Sequence, residues 1–178
     1  KKKLKSFHIS SNILTIKNLR KSNNLQSFAR EKRYNLIINQ SVIKKINMIL
    51  TAHHKDDLIE NFFIRLLRGS GLKGLISFAN IKSKASLDNK IFILRPLIDI
   101  NKKDLLYISK NTFNFNIDDP SNLNEKFLRI KVRKLISKLE EDGLTFSKFK
   151  LCLNNLSKSN YTIDYYVQKN INDNSNYL

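Results

Sequence analysis

The chain has 178 residues, of which 41% are hydrophobic and 27% are charged, and this composition is typical of one folded domain or of one domain with an appendage. The sequence contains no apolar run near the roughly 18 residues of a membrane span, and no apolar segment follows its basic start, KKKLKSFHIS, as it would in a signal peptide. A single cysteine, Cys152, rules out an internal disulfide and multi-cysteine metal or redox motifs, which favours a reducing intracellular compartment.

The net charge is +18, from 33 Lys and Arg residues against 15 Asp and Glu residues. Such an excess attracts polyanions, of which nucleic acid is the commonest. An A+T-rich gene would also raise the content of Lys, Asn and Ile. Because such a bias in base composition does not explain why acidic residues are so few, we favour a functional basic surface.

The first half of the chain predicts a helix, a strand and a second helix. Residues 23–45 lack Gly and Pro and predict a helix, and the apolar run INMILTAHH (46–54) predicts a buried strand that ends at the histidines. Asp56 or Asp57 should then begin a helix. RGSGLKGL (68–75), which holds three of the 4 glycines, should end it. Apolar residues recur at helical spacing between these points: Leu58, Ile59, Phe62, Phe63, Leu66 and Leu67.

The second half predicts one strand and three helices. KIFILRPLI (90–98) predicts a strand that ends at Pro96, NKKDLLYISKN (101–111) a helix capped by Asn101, and NIDDPSNLNEKF (116–127) a turn-rich connection. A last helix should run from about Thr145 and fray at NINDNSNYL (170–178). Before it, one helix face is apolar and consists of Leu128, Val132, Leu135, Ile136 and Leu139. Opposite that face we expect two basic stripes, formed by Lys126, Arg129 and Arg133 and by Lys131, Lys134 and Lys138.

The order strand, helix, strand indicates an α/β unit over residues 1–118, followed by a helical appendage over residues 119–178. In such units the ligand crevice lies where strands end and helices begin. The stretch TAHHKDDLIENFFIRLLRGSG (51–71) has this position.

Spacing alone leaves the chemistry of this stretch open. Two carboxylates beside a neutral imidazole can hold Mg²⁺, an ammonium group or a phosphate-bound metal, but acidic residues in a first turn also satisfy free backbone N–H groups. The HExxH zinc pattern is absent, and His8 is the only other histidine.

The basic residues have the same two readings. Arg65 and Arg68 either favour the helix C-terminus or form an anion loop with the glycines, although the spacing is not that of a Walker A loop. Arg30 and Arg33 lie one turn apart, where they either grip a phosphate or are simply solvated.

Four blocks occur in the order and spacing of the tRNA(Ile)-lysidine synthase family: NLQSFAREKRY, LTAHHKDDLIENFFIRLLRGSGLKGL, ILRPLIDINKKDLLYI and DDPSNLNEKFLRIKVRKLI. The chain resembles that family over roughly residues 20–140. The resemblance implies a Rossmann-like parallel sheet flanked by helices, as in the adenine nucleotide α-hydrolase-like fold of the N-type ATP pyrophosphatases, here incomplete at its N-terminus.

The resemblance implies that ATP adenylates the C2 oxygen of the wobble cytidine in tRNA(Ile) with a CAU anticodon. The ε-amine of free L-lysine then attacks C2 and displaces AMP. It further implies ATP and Mg²⁺ as cofactors. The lack of a long apolar run predicts no membrane partner, and the A+T-rich composition is compatible with the bacterial cytoplasm or the plastid stroma.

By resemblance, site residues fall into three groups. The catalytic residues are His54, Asp57 and Glu60, and Asp57 is also the candidate Mg²⁺ ligand. The ATP- or adenylate-binding residues are Arg30, Arg33, His53 and Arg68, with the Gly69–Gly71 loop bordering the same pocket. The tRNA-binding residues are Lys126, Arg129, Arg133 and Lys134.

The family's SGGxDS loop, which cradles pyrophosphate, has no counterpart in these residues. Together with the missing initial methionine, this predicts a piece of a longer protein, or a truncated copy, that does not use ATP alone. One alternative is a non-catalytic basic RNA-binding protein derived from the same fold. Another is a different ATP-dependent tRNA-modifying enzyme, although the sulfur-transferring ones generally need more cysteines than Cys152.

Overall fold

The computed structural model describes residues 2–16, 25–79, 82–84, 91–114 and 128–175. Within them the chain forms seven helices and three strands. In chain order these are α1 (Lys2–Ser6), α2 (Leu25–Ile43), β1 (Met48–Leu50), α3 (Lys55–Leu67), α4 (Leu72–Ile76), β2 (Lys82–Lys84), β3 (Phe92–Leu94), α5 (Lys102–Phe113), α6 (Leu128–Glu141) and α7 (Phe146–Asn174).

The described strands form one sheet in the order β1–β3–β2. β1 and β3 are parallel, with Ile49 opposite Ile93, whereas β2 is antiparallel to β3. Ile49, Ile91 and Ile93 are buried against α2, which contributes Tyr34, Ile37 and Ile38. Because β1 and β3 are parallel, their carboxyl ends meet at the same edge of the sheet.

The larger core lies beyond that edge and is built mainly from helices. It joins α3 and α4 with α6 and α7 through Leu58, Ile59, Ile76, Phe78, Ile98, Val132, Ile136, Phe149 and Leu153. α6 packs against α3, and α7 packs against α4. The C-terminal helices therefore share a core with the α/β unit and bring α6 alongside the start of α3.

The predicted α/β unit with a helical C-terminal region is confirmed. The two strands are shorter than predicted, at three residues each, and the sequence patterns gave no prediction of α1, α4 or the antiparallel β2. The fraying predicted from residue 170 is wrong up to Asn174, where α7 ends. The boundary placed near Asp119 lies outside the described residues.

The orientation predicted for α6 needs a correction. The buried residues are Val132 and Ile136, while Leu135, assigned to the apolar face, is exposed. At 100° per residue, Arg129 lies about 60° from Val132, and Arg133 about 60° from Ile136. The two arginines thus border the buried face, next to α3, and do not lie opposite it.

Among the described residues, no helix combines the length and the apolar character that crossing a membrane would require.

Candidate functional site

The site lies at the carboxyl edge of the parallel strand pair. The chain leaves β1 at Thr51 and β3 at Arg95, and the Thr51 N–H donates to the Leu94 carbonyl oxygen at 2.9 Å. This bond extends the ladder by one residue and holds the two exits side by side. Crevices at such edges are the usual ligand sites of α/β proteins.

His54 and Asp57 form the start of α3. His54 is the N-cap residue in an extended conformation, and its backbone N–H donates to Asp57 Oδ2 at 3.1 Å. The His54 ring Nε2 lies 3.4 Å from the same carboxylate oxygen. Asp56 and Asp57 lie in the first turn, where carboxylates favour the free N–H groups of the helix. The capping interpretation of the acidic pair is therefore realised in the fold.

Glu60 is the buried charge of the site, with 3% of its surface exposed. Its Oε2 lies 2.7 Å from Arg129 Nε, and its Oε1 accepts from Arg133 Nε at 2.5 Å. Both carboxylate oxygens are thus occupied by guanidinium groups from α6. A buried carboxylate requires such pairing because its desolvation is costly, so Glu60 fixes α6 to α3.

Asp57 lies between this ion pair and solvent. Its Oδ1 is 3.8 Å from Arg129 Nη2, and 18% of its side chain is exposed. Next to the Glu60 ion pair, a cleft of about 610 Å³ opens between the starts of α3 and α5 and one side of α6. Its lining includes His54, Glu60, Asn101 and Arg133. A cleft of this size accommodates a small-molecule ligand.

A second cluster surrounds His53 on the sheet side of the site. The His53 ring packs edge-on against Phe78 at a centroid distance of 4.9 Å, and the Arg95 guanidinium lies 4.7 Å from the Phe78 centroid. Arg95 is buried and donates to Ser83 Oγ on β2 at 3.0 Å. Burial lowers the pKa of Arg95, an effect that the nearby Arg30 increases. This side of the crevice is therefore strongly positive.

The remaining predicted residues lie apart from the carboxylates. Arg30 and Arg33 are exposed on α2, where the Arg30 guanidinium lies 5.4 Å from the Tyr34 ring centroid. Lys134 is exposed on α6, and Lys126 lies outside the described residues.

Arg68 is exposed at the C-cap of α3. The 13 residues of α3 separate it from His54 by about 20 Å at 1.5 Å per residue. The expectation that Arg68 and the glycine loop border the same pocket is therefore not met. Gly69 instead ends the helix with a φ of +71°, the conformation that favours glycine.

The residues of the site do not fit a resident metal ion. The described part of the chain has no group of three or more His, Cys, Asp or Glu side chains that could hold one. Asp57 also faces Arg129, whose positive charge opposes a cation at the same oxygen. The arrangement instead suits a ligand that brings its own ammonium or phosphate groups.

Sequence reasoning missed Arg95 and Phe78. The sequence predicts Arg95 as part of a strand that ends at Pro96 and gives no prediction for Phe78. The sequence could have indicated Arg95 by its position, because it directly follows β3 and so lies at the ligand edge of the sheet. The contact of Phe78 with His53 depends on α4, which no pattern predicted.

The sequence is similar to a described protein family and to several bacterial proteins. A family model described as PP-loop domain matches residues 2–140. The tRNA(Ile)-lysidine synthase of Orientia tsutsugamushi is 44% identical over 117 residues, which are 65% of this chain and 25% of that protein. The enzyme of the same name from Rickettsia typhi is 42% identical over 118 residues, 66% of this chain and 26% of the relative. That from Rickettsia rickettsii strain Sheila Smith is 40% identical over 126 residues, 70% and 25% of the two chains.

This chain spans about a quarter of the length of these curated relatives. The family match, in contrast, covers most of the chain and includes every described part of the site: the exits of β1 and β3, the start of α3 and the arginines of α6. The chain belongs to the PP-loop domain family.

Proposed function

We propose that this chain is the part of a tRNA(Ile)-lysidine synthase that holds the lysine and the anticodon of the tRNA. The reaction would join the ε-amine of L-lysine to C2 of the wobble cytidine in tRNA(Ile) with a CAU anticodon, after ATP has adenylated the C2 oxygen. The observation that carries the proposal is the carboxylate–arginine cluster that joins α3 to α6. Relatives of that name, at 40–44% identity over this region, support it.

Asp57 is the carboxylate that suits a lysine ammonium group. Its side chain is 18% exposed, and its Oδ1 has only a distant contact with Arg129 at 3.8 Å, while its Oδ2 accepts from the His54 N–H. Glu60, by comparison, is buried and has both oxygens in short ion pairs. We therefore assign Asp57 to the substrate and Glu60 to the placement of the arginines.

Arg129 and Arg133 suit contacts with the RNA backbone. Arg133 donates its Nε–H to Glu60 and Arg129 Nε lies 2.7 Å from the same carboxylate, while the Arg129 and Arg133 side chains remain 43% and 35% exposed. The guanidinium groups are therefore held in place while part of each donor set stays accessible to phosphate oxygens. The chain's net charge of +18 would add long-range attraction for the tRNA.

Arg30 and Arg33 remain our candidates for the phosphates of ATP or of the adenylate. They are exposed, one turn apart on α2, and Arg30 is close enough to His53 and Arg95 to affect the pKa of both. An anion in this crevice would be stabilised by the guanidinium groups of Arg30 and Arg95. We assign no resident metal to Asp57.

The test measures incorporation of labelled lysine into tRNA(Ile) by the protein that the complete gene encodes, with ATP present. We expect incorporation into the transcript with a CAU anticodon and none into a transcript whose wobble cytidine is replaced by uridine. Asp57→Asn should abolish incorporation and leave tRNA affinity within about twofold. Asp99→Asn is the matched control, because Asp99 pairs with Lys150 on the surface.

Two results would refute the assignment. Tight tRNA binding without lysine incorporation by the unaltered protein would favour the alternative of a non-catalytic RNA-binding protein. Loss of tRNA binding in a correctly folded Asp57→Asn protein would show that Asp57 serves the RNA and not the lysine.

A further inference from the structure

The hydrogen bonds of Thr51 fix the tautomer of His53. Thr51 Oγ1 lies 3.2 Å from the Leu94 carbonyl oxygen and 2.9 Å from His53 Nδ1. A carbonyl oxygen only accepts, so the single hydroxyl proton of Thr51 is directed to Leu94. With its proton directed to Leu94, the threonine oxygen offers only lone pairs to His53, and the tautomer that fits both contacts carries its proton on Nδ1. In the neutral ring this leaves the lone pair on Nε2.

The surroundings of His53 keep that ring neutral. Burial is the main cause that lowers the pKa of His53 below 6.5, and Asp57 opposes it. Three arginines lower the pKa further, and they come from three different parts of the fold: Arg95 after β3, Arg30 on α2 and Arg129 on α6. Together with Asp57 on α3, these charges surround the ring. A neutral imidazole with a fixed lone pair is the form that can accept a proton.

His54 is less suited to proton transfer than its neighbour. Its backbone N–H is bonded to Asp57 Oδ2, and its ring Nε2 lies 3.4 Å from the same oxygen. The backbone N–H and Nε2 thus face the carboxylate that begins α3, and the remaining ring nitrogen, Nδ1, is buried without a hydrogen-bond partner. The catalytic role that the resemblance gave to His54 therefore fits His53 better.

We propose that His53 is the general base of lysine transfer, acting through Nε2 with Thr51 as the residue that sets its tautomer. This inference rests on the proposed function. Nε2 accepts one proton from the lysine ε-ammonium, and the nitrogen electron pair that is released forms the bond to C2 of the adenylated cytidine. The bond from C2 to the adenylated oxygen breaks, its electron pair leaves with AMP, and the second proton that the attacking nitrogen loses passes to the departing phosphate. The imidazolium afterwards returns its proton to solvent.

The first test needs only the 178-residue chain and reads the ring directly by nitrogen-15 NMR. We expect the side chain of His53 to be the Nδ1–H tautomer, to titrate below 6.5, and to titrate at higher pH in Arg95→Met, because Arg95 lowers its pKa. An Nε2–H tautomer, or a His53 pKa at or above 6.5, would overturn the proposal even if the protein makes lysidine.

The second test follows lysidine formation by the protein that the complete gene encodes. His53→Asn, whose amide can still donate to Thr51, should lower the rate of lysine transfer by about 10²-fold or more. ATP-dependent pyrophosphate release should continue, and added imidazole should restore part of the transfer rate. The fall in rate at acid pH seen in the unaltered protein should disappear in this variant and move to higher pH in Arg95→Met. His8→Asn should leave the rate unchanged.

The outcomes separate the possible failures. Loss of pyrophosphate release in His53→Asn would return His53 to ATP binding, and a normal transfer rate would remove it from catalysis. An unaltered protein that forms no lysidine would refute the proposed function and this role with it, whereas the tautomer and pKa of the ring would still be read from NMR.

Discussion

Replacing Glu60 by Gln should destabilise the fold by removing the charge that holds α6 to α3. Glu60 is 3% exposed, and its carboxylate is paired with Arg129 at 2.7 Å and Arg133 at 2.5 Å. Removing one partner of a fully buried ion pair costs about 3–5 kcal/mol. Because the two arginines are 43% and 35% exposed and can be rehydrated, we expect a smaller loss of about 2 kcal/mol. For a chain of this size that lowers Tm by about 4–8 °C.

The assay is urea unfolding followed by circular dichroism at pH 7, on the single variants Glu60→Gln and Arg133→Gln and on the double variant. A coupling free energy of about 1–2 kcal/mol between the two positions is expected. Asp99→Asn is the control, because its pair with Lys150 is about half exposed on both sides and should contribute less than about 0.5 kcal/mol. A loss below about 0.5 kcal/mol in Glu60→Gln, or no coupling, would refute the role of the buried ion pair.

Three further predictions concern the core, the RNA surface and a turn. Leu153→Ala, at a side chain that is 2% exposed, should lower the free energy of unfolding in urea by about 2–5 kcal/mol. The control Leu151→Ala, at a side chain that is 61% exposed, should change it by less than about 0.5 kcal/mol. Equal losses would contradict the packing of α7. Arg133→Ala should weaken tRNA binding and lower the slope of log affinity against log salt by about 1, and an unchanged slope would argue against a phosphate contact. Gly143→Ala should destabilise the protein by about 1–2 kcal/mol, because the φ of Gly143 is +95°. Gly71→Ala should be nearly neutral, because a Cβ added there would meet open space. Thermal unfolding measures both effects, and a tolerated Gly143→Ala would contradict the turn at Gly143.

Much of α3 could be read from the sequence because its signals are local. The acidic first turn, the helical spacing of its apolar residues and the glycine that ends it all act within a few residues along the chain. The structure begins this helix at Lys55 and ends it at Leu67, close to the predicted bounds. The short strand β2 and helix α4 carry no comparable local signal, since β2 is stabilised by its pairing with β3.

The candidate site was predicted in its members more fully than in its arrangement. The residue types from His53 to Glu60 predicted a polar crevice. They could not distinguish Asp57, a partly exposed carboxylate, from Glu60, which is buried and paired with two arginines. That distinction depends on α6, which lies about 70 residues later in the chain. The prediction that Arg68 borders the same pocket was wrong for the opposite reason. Residues that are close in sequence lie far apart when they are at opposite ends of a helix.

By itself the sequence determined an α/β unit with helical neighbours, a strongly basic chain, and a cluster of histidines and carboxylates at the start of α3. These follow from side-chain periodicity, charge and capping, which depend on neighbouring residues. Only the tertiary structure decided that Glu60 binds Arg129 and Arg133, and that Thr51, Phe78 and Arg95 surround His53. Those contacts join α3 to α6 and β1 to β3, and they form because parallel strands bring their carboxyl ends together and because a buried charge must find its partners.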